Sequence, residues 1–408
     1  MSIQLLHGDC RELLKSLPDQ SIDSIVTDPP YELGFMGKRW DASGIAYDIK
    51  VWQECLRVLK PGGHLLAFGG TRTYHRMTCA IEDAGFEIRD CIMWVYGSGF
   101  PKSLDVSKAI DKAAGAEREV VGVHTRHGGG SANSGSMSGP LGTASELPLT
   151  APATEAAKQW QGWGSALKPA VEPIVCARKP LDGTIADNVL RHGTGGINID
   201  GCRVGTGEYS DRQWLDIYRR GRRGINNNFV NSFDANKCPK APSGRWPANL
   251  IHDGSDEVVG LFPQTAPSKA TNRGRGYGDG IFANDCNYLG TIRGHSDSGS
   301  AARFFYCAKT SPSERGDNNH PTVKPLALMR YLCRLVTPPR GTVLDPFAGS
   351  GSTMVAARQE GFDAVGCELE AAHIEIIKRR LQMPAEPEAE QEAQPKRTES
   401  RSTQLRLF

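Results

Sequence analysis

No apolar run in this chain approaches the length of a bilayer, so no segment is expected to cross a membrane. The opening residues, MSIQLLHGDCRELL, lack the basic stretch and apolar core of a secretory leader. There is no Cys-x-x-Cys pair, and the eleven cysteines are scattered and odd in number. That pattern argues against a zinc cluster or a disulfide framework, so no metal is expected, and it points to a reducing compartment such as the cytoplasm. No internal repeat is present. Net charge is only +2 over 408 residues, so bulk charge does not mark a nucleic-acid binder. With 23% charged and 39% hydrophobic residues, the composition is that of an ordinary globular chain, long enough for two or three domains.

What the chain does have is local. Residues 21–26, SIDSIV, are short, rich in β-branched residues and preceded by a Pro-Asp turn, which predicts a buried strand. Asp28-Pro29-Pro30-Tyr31 follows. Neither proline can donate to a sheet ladder, so the strand stops there, and Pro30 biases Pro29 towards an extended backbone. The result is a rigid segment at the carboxyl end of a strand, where open α/β sheets bind ligands. Asp28 offers only acceptors, Pro29 a carbonyl and Tyr31 a flat face, a set suited to an amino group on a planar heterocycle. Taken alone, the string is equally a proline turn with an exposed Asp.

Residues 1–123 read as α/β, with a strand at 3–6, a helix at 11–17, a helix at 47–59, a turn at 60–63 and strands at 64–68 and 87–96. Residues 124–159 contain a Gly/Ser-rich, aperiodic stretch and read as a flexible insertion, after which 160–180 return to a strand pattern. Residues 181–318 are irregular and rich in Gly, Asn and Arg. Within them Arg212, Arg219, Arg220, Arg222 and Arg223 surround Trp214 and Tyr218, a mixture of phosphate-binding and base-stacking side chains that suits nucleic acid. A solvated basic helix face explains that stretch equally well. Order returns over 319–382, where a helix at 325–336 begins with proline. Residues 383–408 cannot bury a core and read as a disordered tail.

Residues 341–370 contain strand, glycine turn, helix and strand in succession. Asp345 closes the first strand, Gly349 and Gly351 permit a tight turn and close ligand approach, and Glu368 closes the second strand, placed to accept from ribose hydroxyls. The spacing GxGxxG is absent and no P-loop lysine follows, which separates this turn from dinucleotide and P-loop sites.

Phe347-Ala348-Gly349-Ser350-Gly351 resembles the FxGxG motif of S-adenosylmethionine-dependent methyltransferases, and Asp28-Pro29-Pro30-Tyr31 resembles the catalytic motif of enzymes that methylate exocyclic amines. The pair is similar to the DNA amino-methyltransferases acting on adenine N6 or cytosine N4, in the permuted β-type order with the catalytic motif first. The resemblance implies a Rossmann-like methyltransferase fold: a mostly parallel, seven-stranded sheet with helices on both faces and a target-recognition region between the motifs, here 181–318. It implies S-adenosylmethionine as cofactor, held by Asp9, Thr322, Lys324, Asp345, Phe347, Gly349, Gly351 and Glu368. Asp9 would meet the adenine, Glu368 the ribose, and Thr322 and Lys324 the cofactor carboxylate; for Asp9, Thr322 and Lys324 a capping or surface role competes. It implies double-stranded DNA as substrate, with the target base turned out of the duplex. Asp at the first motif position leans to adenine over cytosine. RNA or protein methylation and a catalytically dead DNA binder are further alternatives. Relatives are monomers or homodimers, from the cytoplasm of bacteria or their phages. The terminal Gln404-Leu405-Arg406-Leu407-Phe408 resembles the pentapeptide that docks on the replication sliding clamp, with Gln404, Leu405, Leu407 and Phe408 as contacts and the tail as tether.

Overall fold

The structure is a computed structural model, and it describes residues 1–34, 42–99, 103–126, 145–205, 244–266, 298–308 and 323–382. In chain order its strands are β1 (Ile3–His7), β2 (Ile22–Thr27), β3 (Leu59–Phe68), β4 (Glu87–Val95), β5 (Val120–Arg126), β6 (Ser145–Thr150), β7 (Val171–Arg178), β8 (Leu250–His252), β9 (Gln264–Thr265), β10 (Gly299–Ser300), β11 (Tyr306–Cys307), β12 (Thr342–Asp345) and β13 (Asp363–Glu368). The main sheet has the order β1-β13-β12-β2-β3-β7-β4-β8-β11. Within it only β7 runs against its neighbours. The seven-stranded, mostly parallel sheet is therefore present as β1 to β4, β7, β12 and β13, and the short β8 and β11 extend one edge to nine.

Every residue of β2 is buried, as a strand covered on both faces requires. Successive side chains alternate between two cores. Ile25, Leu65 and Leu344 face helices Ile49–Val58 and Tyr74–Asp83 through Trp52, Cys55, Met77 and Ile81. Val26, Leu66 and Val343 face helix Leu326–Val336 through Leu328 and Leu332, and helix Ser352–Gln359 through Ala356. The helix Ala371–Gln382 packs Ile377 on Ala348 and Met354. Among the described residues no helix is long and apolar enough to cross a membrane, and the nine described cysteines are all free.

Several sequence expectations are corrected. The turn expected at 60–63 is continuous strand within β3, with a register shift opposite Ile22 and Ser24. Gly62 bends the strand there at φ +76°, and both glycines also serve close approach: a Cβ on Gly62 would lie 2.3 Å from Asn188 Nδ2, and one on Gly63 would lie 2.9 Å from the Asp23 carbonyl. The helix expected at 11–17 is a short helix, Cys10–Leu13, continued by a 3₁₀ turn, Leu14–Ser16. The insertion expected at 124–159 begins inside β5, which pairs antiparallel with β6, and it contains the helix Glu155–Gln159. The block 181–318 is not wholly separate from the sheet. It contributes β8 and β11, and its helix Ile185–His192, opened by a Thr184–Asp187 capping box, packs on β3. Asn188 of that helix donates to the Pro61 and Thr194 carbonyls, at 2.9 and 2.8 Å.

Candidate active site

β12 enters the sheet beside β2, with Val343 opposite Ser24 and Leu344 opposite Ile25. The proline motif and the glycine turn, at opposite ends of the chain, thus leave neighbouring parallel strands at the same edge. Thr27 and Asp345 join the two ends directly, the Thr27 hydroxyl donating to Asp345 Oδ1 at 2.6 Å. A cleft of about 270 Å³ opens above them. Its lining includes Asp9, Asp28, Pro29, Pro30, Tyr31, Lys324, Asp345, Phe347, Gly349 and Glu368.

Gly351 does not line the cleft. It caps helix Ser352–Gln359 at φ +80°, and a Cβ there would lie 2.9 Å from Ile377 Cγ1, so its place is close packing and the left-handed cap rather than ligand contact. Thr322, the recognition candidates Arg212, Trp214, Tyr218, Arg219, Arg220, Arg222 and Arg223, and the tail contacts Gln404, Leu405, Leu407 and Phe408 lie outside the described residues.

The glycine turn is fixed by charged side chains. Gly349, at φ +53°, donates its N–H to Glu368 Oε2 at 2.7 Å. Glu368 Oε1 accepts from the Glu370 N–H at 2.8 Å and lies 3.1 Å from His373 Nδ1. Arg380 braces the turn from the last helix, donating to the Ser350 carbonyl at 2.6 Å and to the Ser350 and Ser352 hydroxyls at 3.0 and 3.1 Å. His373 and Arg380 were not legible as site residues in the sequence; their helical positions resemble any surface His and Arg. Asp9 caps helix Cys10–Leu13, accepting from the Arg11 N–H at 2.9 Å and from its guanidinium, which holds the carboxyl below its ordinary range. The capping role weighed against adenine contact is thus occupied, on a residue that also lines the cleft.

Lys324 is the main surprise. Expected at a cofactor carboxylate, it donates to Asp28 Oδ2 at 2.7 Å and to the Tyr31 hydroxyl at 3.1 Å, and lies 3.3 Å from Glu172 Oε2. The physical reason is burial, since an ammonium out of water requires carboxylate partners. Burial alone would lower its pKa, but the Asp28 and Glu172 charges outweigh that and raise it. Tyr31 donates to Glu172 Oε2 at 2.8 Å. Asp28 Oδ1 is buried and has no hydrogen-bond partner. Lys179, the residue after β7, donates to the carbonyls of Leu56 and Leu59, both at 2.7 Å, at the end of helix Ile49–Val58.

Asp345 is buried, and burial pushes its carboxyl up to about 6 against the hydrogen bonds from Thr27, Thr353 and the Phe347 N–H that favour the anion. Its folded value lies above the ordinary 3.8, so its contribution to stability is complete only below that value and is lost as pH rises through 6. Asp345→Asn is therefore expected to gain on the wild type by about 2–3 kcal/mol between pH 4 and pH 7.5. Urea unfolding at the two pH values measures this, and a stability difference independent of pH would show that ionisation of Asp345 carries no such cost.

Fold and cleft together define the class, a Rossmann-like α/β protein whose site lies across the carboxyl ends of its parallel strands. The family profile described as DNA methylase, of the N6/N4 type, matches residues 22–379, and the chain belongs to that family of S-adenosylmethionine-dependent enzymes. The Type II methyltransferase M.BamHI of Bacillus amyloliquefaciens is 39% identical over 71 residues, 16% of this chain and 17% of that protein. M.HinfI of Haemophilus influenzae is 31% identical over 109 residues, 22% of this chain and 30% of that protein. The chain thus spans less than a third of the length of either relative. Among solved structures, PvuII DNA methyltransferase (cytosine-N4-specific) aligns with a TM-score of 0.43 at 13% identity, over 95% of this chain and 89% of that one. The DNA modification methylase TTHA0409 of Thermus thermophilus, complexed with S-adenosyl-L-methionine, aligns with a TM-score of 0.41 at 16% identity, over 93% of each chain.

Proposed function

We propose that this protein methylates the exocyclic N6 amine of adenine in double-stranded DNA, at a base turned out of the duplex, with S-adenosylmethionine bound in the cleft. The observation that carries this reading is the state of Asp28. Lys324 occupies Oδ2, while Oδ1 is buried without a partner at the cleft wall. A buried acceptor without a donor is costly, and an amine N–H supplies one. The donor set fits the cofactor as well. Glu368 keeps spare lone pairs for ribose hydroxyls beside a glycine turn with no side chain in the way. The cofactor supplies an electrophilic methyl group.

The chain's own residues aim the amine. Asp28 Oδ1 accepts one N–H and the Pro29 carbonyl the other, which favours a pyramidal nitrogen and stabilises positive charge as it develops. Pro30 fixes the backbone before reaction. Tyr31, anchored through its hydroxyl to Glu172, offers its ring to the base. Asp28 at the first motif position is what favours adenine over cytosine. The test is to incubate the protein with unmethylated DNA and labelled cofactor, digest to nucleosides and identify the product by mass spectrometry. N6-methyldeoxyadenosine is expected; N4-methyldeoxycytidine would keep the mechanism and change the base, and no methylated nucleoside would overturn the reading.

The basic segment containing Trp214 and Tyr218 is read as a DNA contact, and the terminal QLRLF as a ligand of the replication sliding clamp. Deleting residues 404–408 is expected to abolish binding to immobilised clamp while leaving methylation of short duplexes unchanged. Clamp binding that survives the deletion would refute that role.

A further inference from the structure

The wall behind Asp28 carries more charge than holding an amine requires. Lys324 Nζ sits between Asp28 Oδ2, at 2.7 Å, and Glu172 Oε2, at 3.3 Å. Its side chain is 6% exposed, and those of Asp28 and Glu172 are 19% and 18% exposed. The Phe68 ring covers the ammonium, its centroid at 4.9 Å, while Tyr31 meets it through the hydroxyl at 3.1 Å. Among the described residues, the other titratable groups facing the cluster are the hydroxyl of Tyr31, which donates to Glu172 at 2.8 Å, the hydroxyl of Tyr96, and the carboxyl of Asp345, which feels the charge of Asp28. These groups come from five places in the chain: the end of β2, the residue after β4, the start of β7, the segment before helix Leu326–Val336, and the end of β12. Among the described residues the Lys324 ammonium thus meets two carboxylates, Asp28 and Glu172, which leaves these three groups one negative charge in excess where water is largely excluded.

We propose that Lys324 and Glu172 are positioning residues for amine methylation: Lys324 pins Asp28 so that Oδ1 remains for the amine, and Glu172 supplies the excess negative charge that matches the positive charge arriving on the nitrogen. This rests on the reading of the cleft as an amine methyltransferase site. In the transfer the nitrogen lone pair forms the N–C bond and the C–S electron pair stays on sulfur. The nitrogen becomes cationic until one proton leaves, through Asp28, to water. A fixed negative cluster stabilises that charge without reorganising. Lys324 without Glu172 would cancel Asp28 and weaken its pull on the amine. Glu172 without Lys324 would repel Asp28 and leave Oδ2 without its donor.

The experiment compares wild type, Glu172→Gln and Lys324→Met for cofactor affinity by calorimetry, for kcat on DNA, and for the acid limb of the kcat/KM profile. Both variants are expected to bind cofactor within about two-fold of wild type and to lose about 10- to 100-fold in kcat. The acid limb should move in opposite directions. Glu172→Gln removes a like charge from Asp28 and shifts it to lower pH, while Lys324→Met removes the counter-charge and shifts it to higher pH, each by about one unit. If Lys324→Met does not fold, Lys324→Arg carries the test: it keeps the charge and is expected to keep the wild-type limb. Activity losses with superimposable pH profiles, or undiminished kcat in Glu172→Gln, would overturn the proposal while leaving the methyltransferase reading intact. A wild type that binds cofactor and methylates no DNA would overturn both.

Discussion

Asp28→Ala is expected to lower kcat for DNA methylation by about 10³-fold while leaving cofactor affinity nearly unchanged. The substitution removes an acceptor at the cleft wall that is buried and without a partner, so the amine loses the interaction that strengthens as its nitrogen becomes positive. It also leaves Lys324 facing Glu172 alone, 3.3 Å away. That pair is already within salt-bridge distance, so the fold should survive. The measurement is single-turnover methyl transfer at saturating DNA, with calorimetry for cofactor binding. A loss confined to KM would mean that Asp28 holds the base without acting in the transfer. A parallel collapse of cofactor binding would mean that the cleft has been misassigned between its two halves.

The second large effect is expected at Glu368. Its two oxygens position the Gly349 and Glu370 N–H groups, at 2.7 and 2.8 Å, and face the cleft beside the glycine turn. Hydrogen bonds to a charged acceptor contribute about 1.5–3 kcal/mol each. Glu368→Ala is therefore expected to raise the cofactor Kd by about 10²- to 10³-fold, since it removes the acceptor for the ribose hydroxyls and also frees the turn that holds the rest of the molecule. Glu368→Gln should be milder, because its amide oxygen still accepts one N–H. Calorimetric titration of both variants decides this, and equal affinities in wild type and Glu368→Ala would remove Glu368 from the cofactor site. The kinetic signature also differs from that of Asp28→Ala: saturating cofactor should restore much of kcat in the Glu368 variants and none of it in Asp28→Ala.

The parts of the site that were legible in the sequence are those set by local chemistry. Two consecutive prolines end β2 wherever it packs, so Asp28 is fixed at a strand terminus by its neighbours alone. Gly349 is confined to a turn in the same way, its φ of +53° being a region that other side chains seldom enter. Helices starting at Tyr74 and Ile185 were within reach: Met77, Ala80 and Ile81 have helical spacing, and Thr184 with Asp187 forms a capping box. The turn expected at 60–63 is a bend inside a strand: Gly62 has a left-handed φ of +76°, and pairing with β2 continues on both sides of it. Glycines that permit a bend also permit a close neighbour, and the packed structure shows Gly62 serving both, with Asn188 where a Cβ would stand.

By itself, then, the sequence determined the class of chemistry: a carboxylate and a carbonyl at one strand end, a glycine turn and an acidic residue at another, within an α/β pattern. Tertiary structure decided what those groups do to one another. It set β12 beside β2, so that two motifs from opposite ends of the chain share one cleft. It seated Ile377 against Gly351, and it buried Lys324 between Asp28 and Glu172. Backbone preferences act over a few neighbouring residues and can be read in order along the chain. The partner of a buried charge is chosen by desolvation across the packed core, among groups that the chain order leaves far apart.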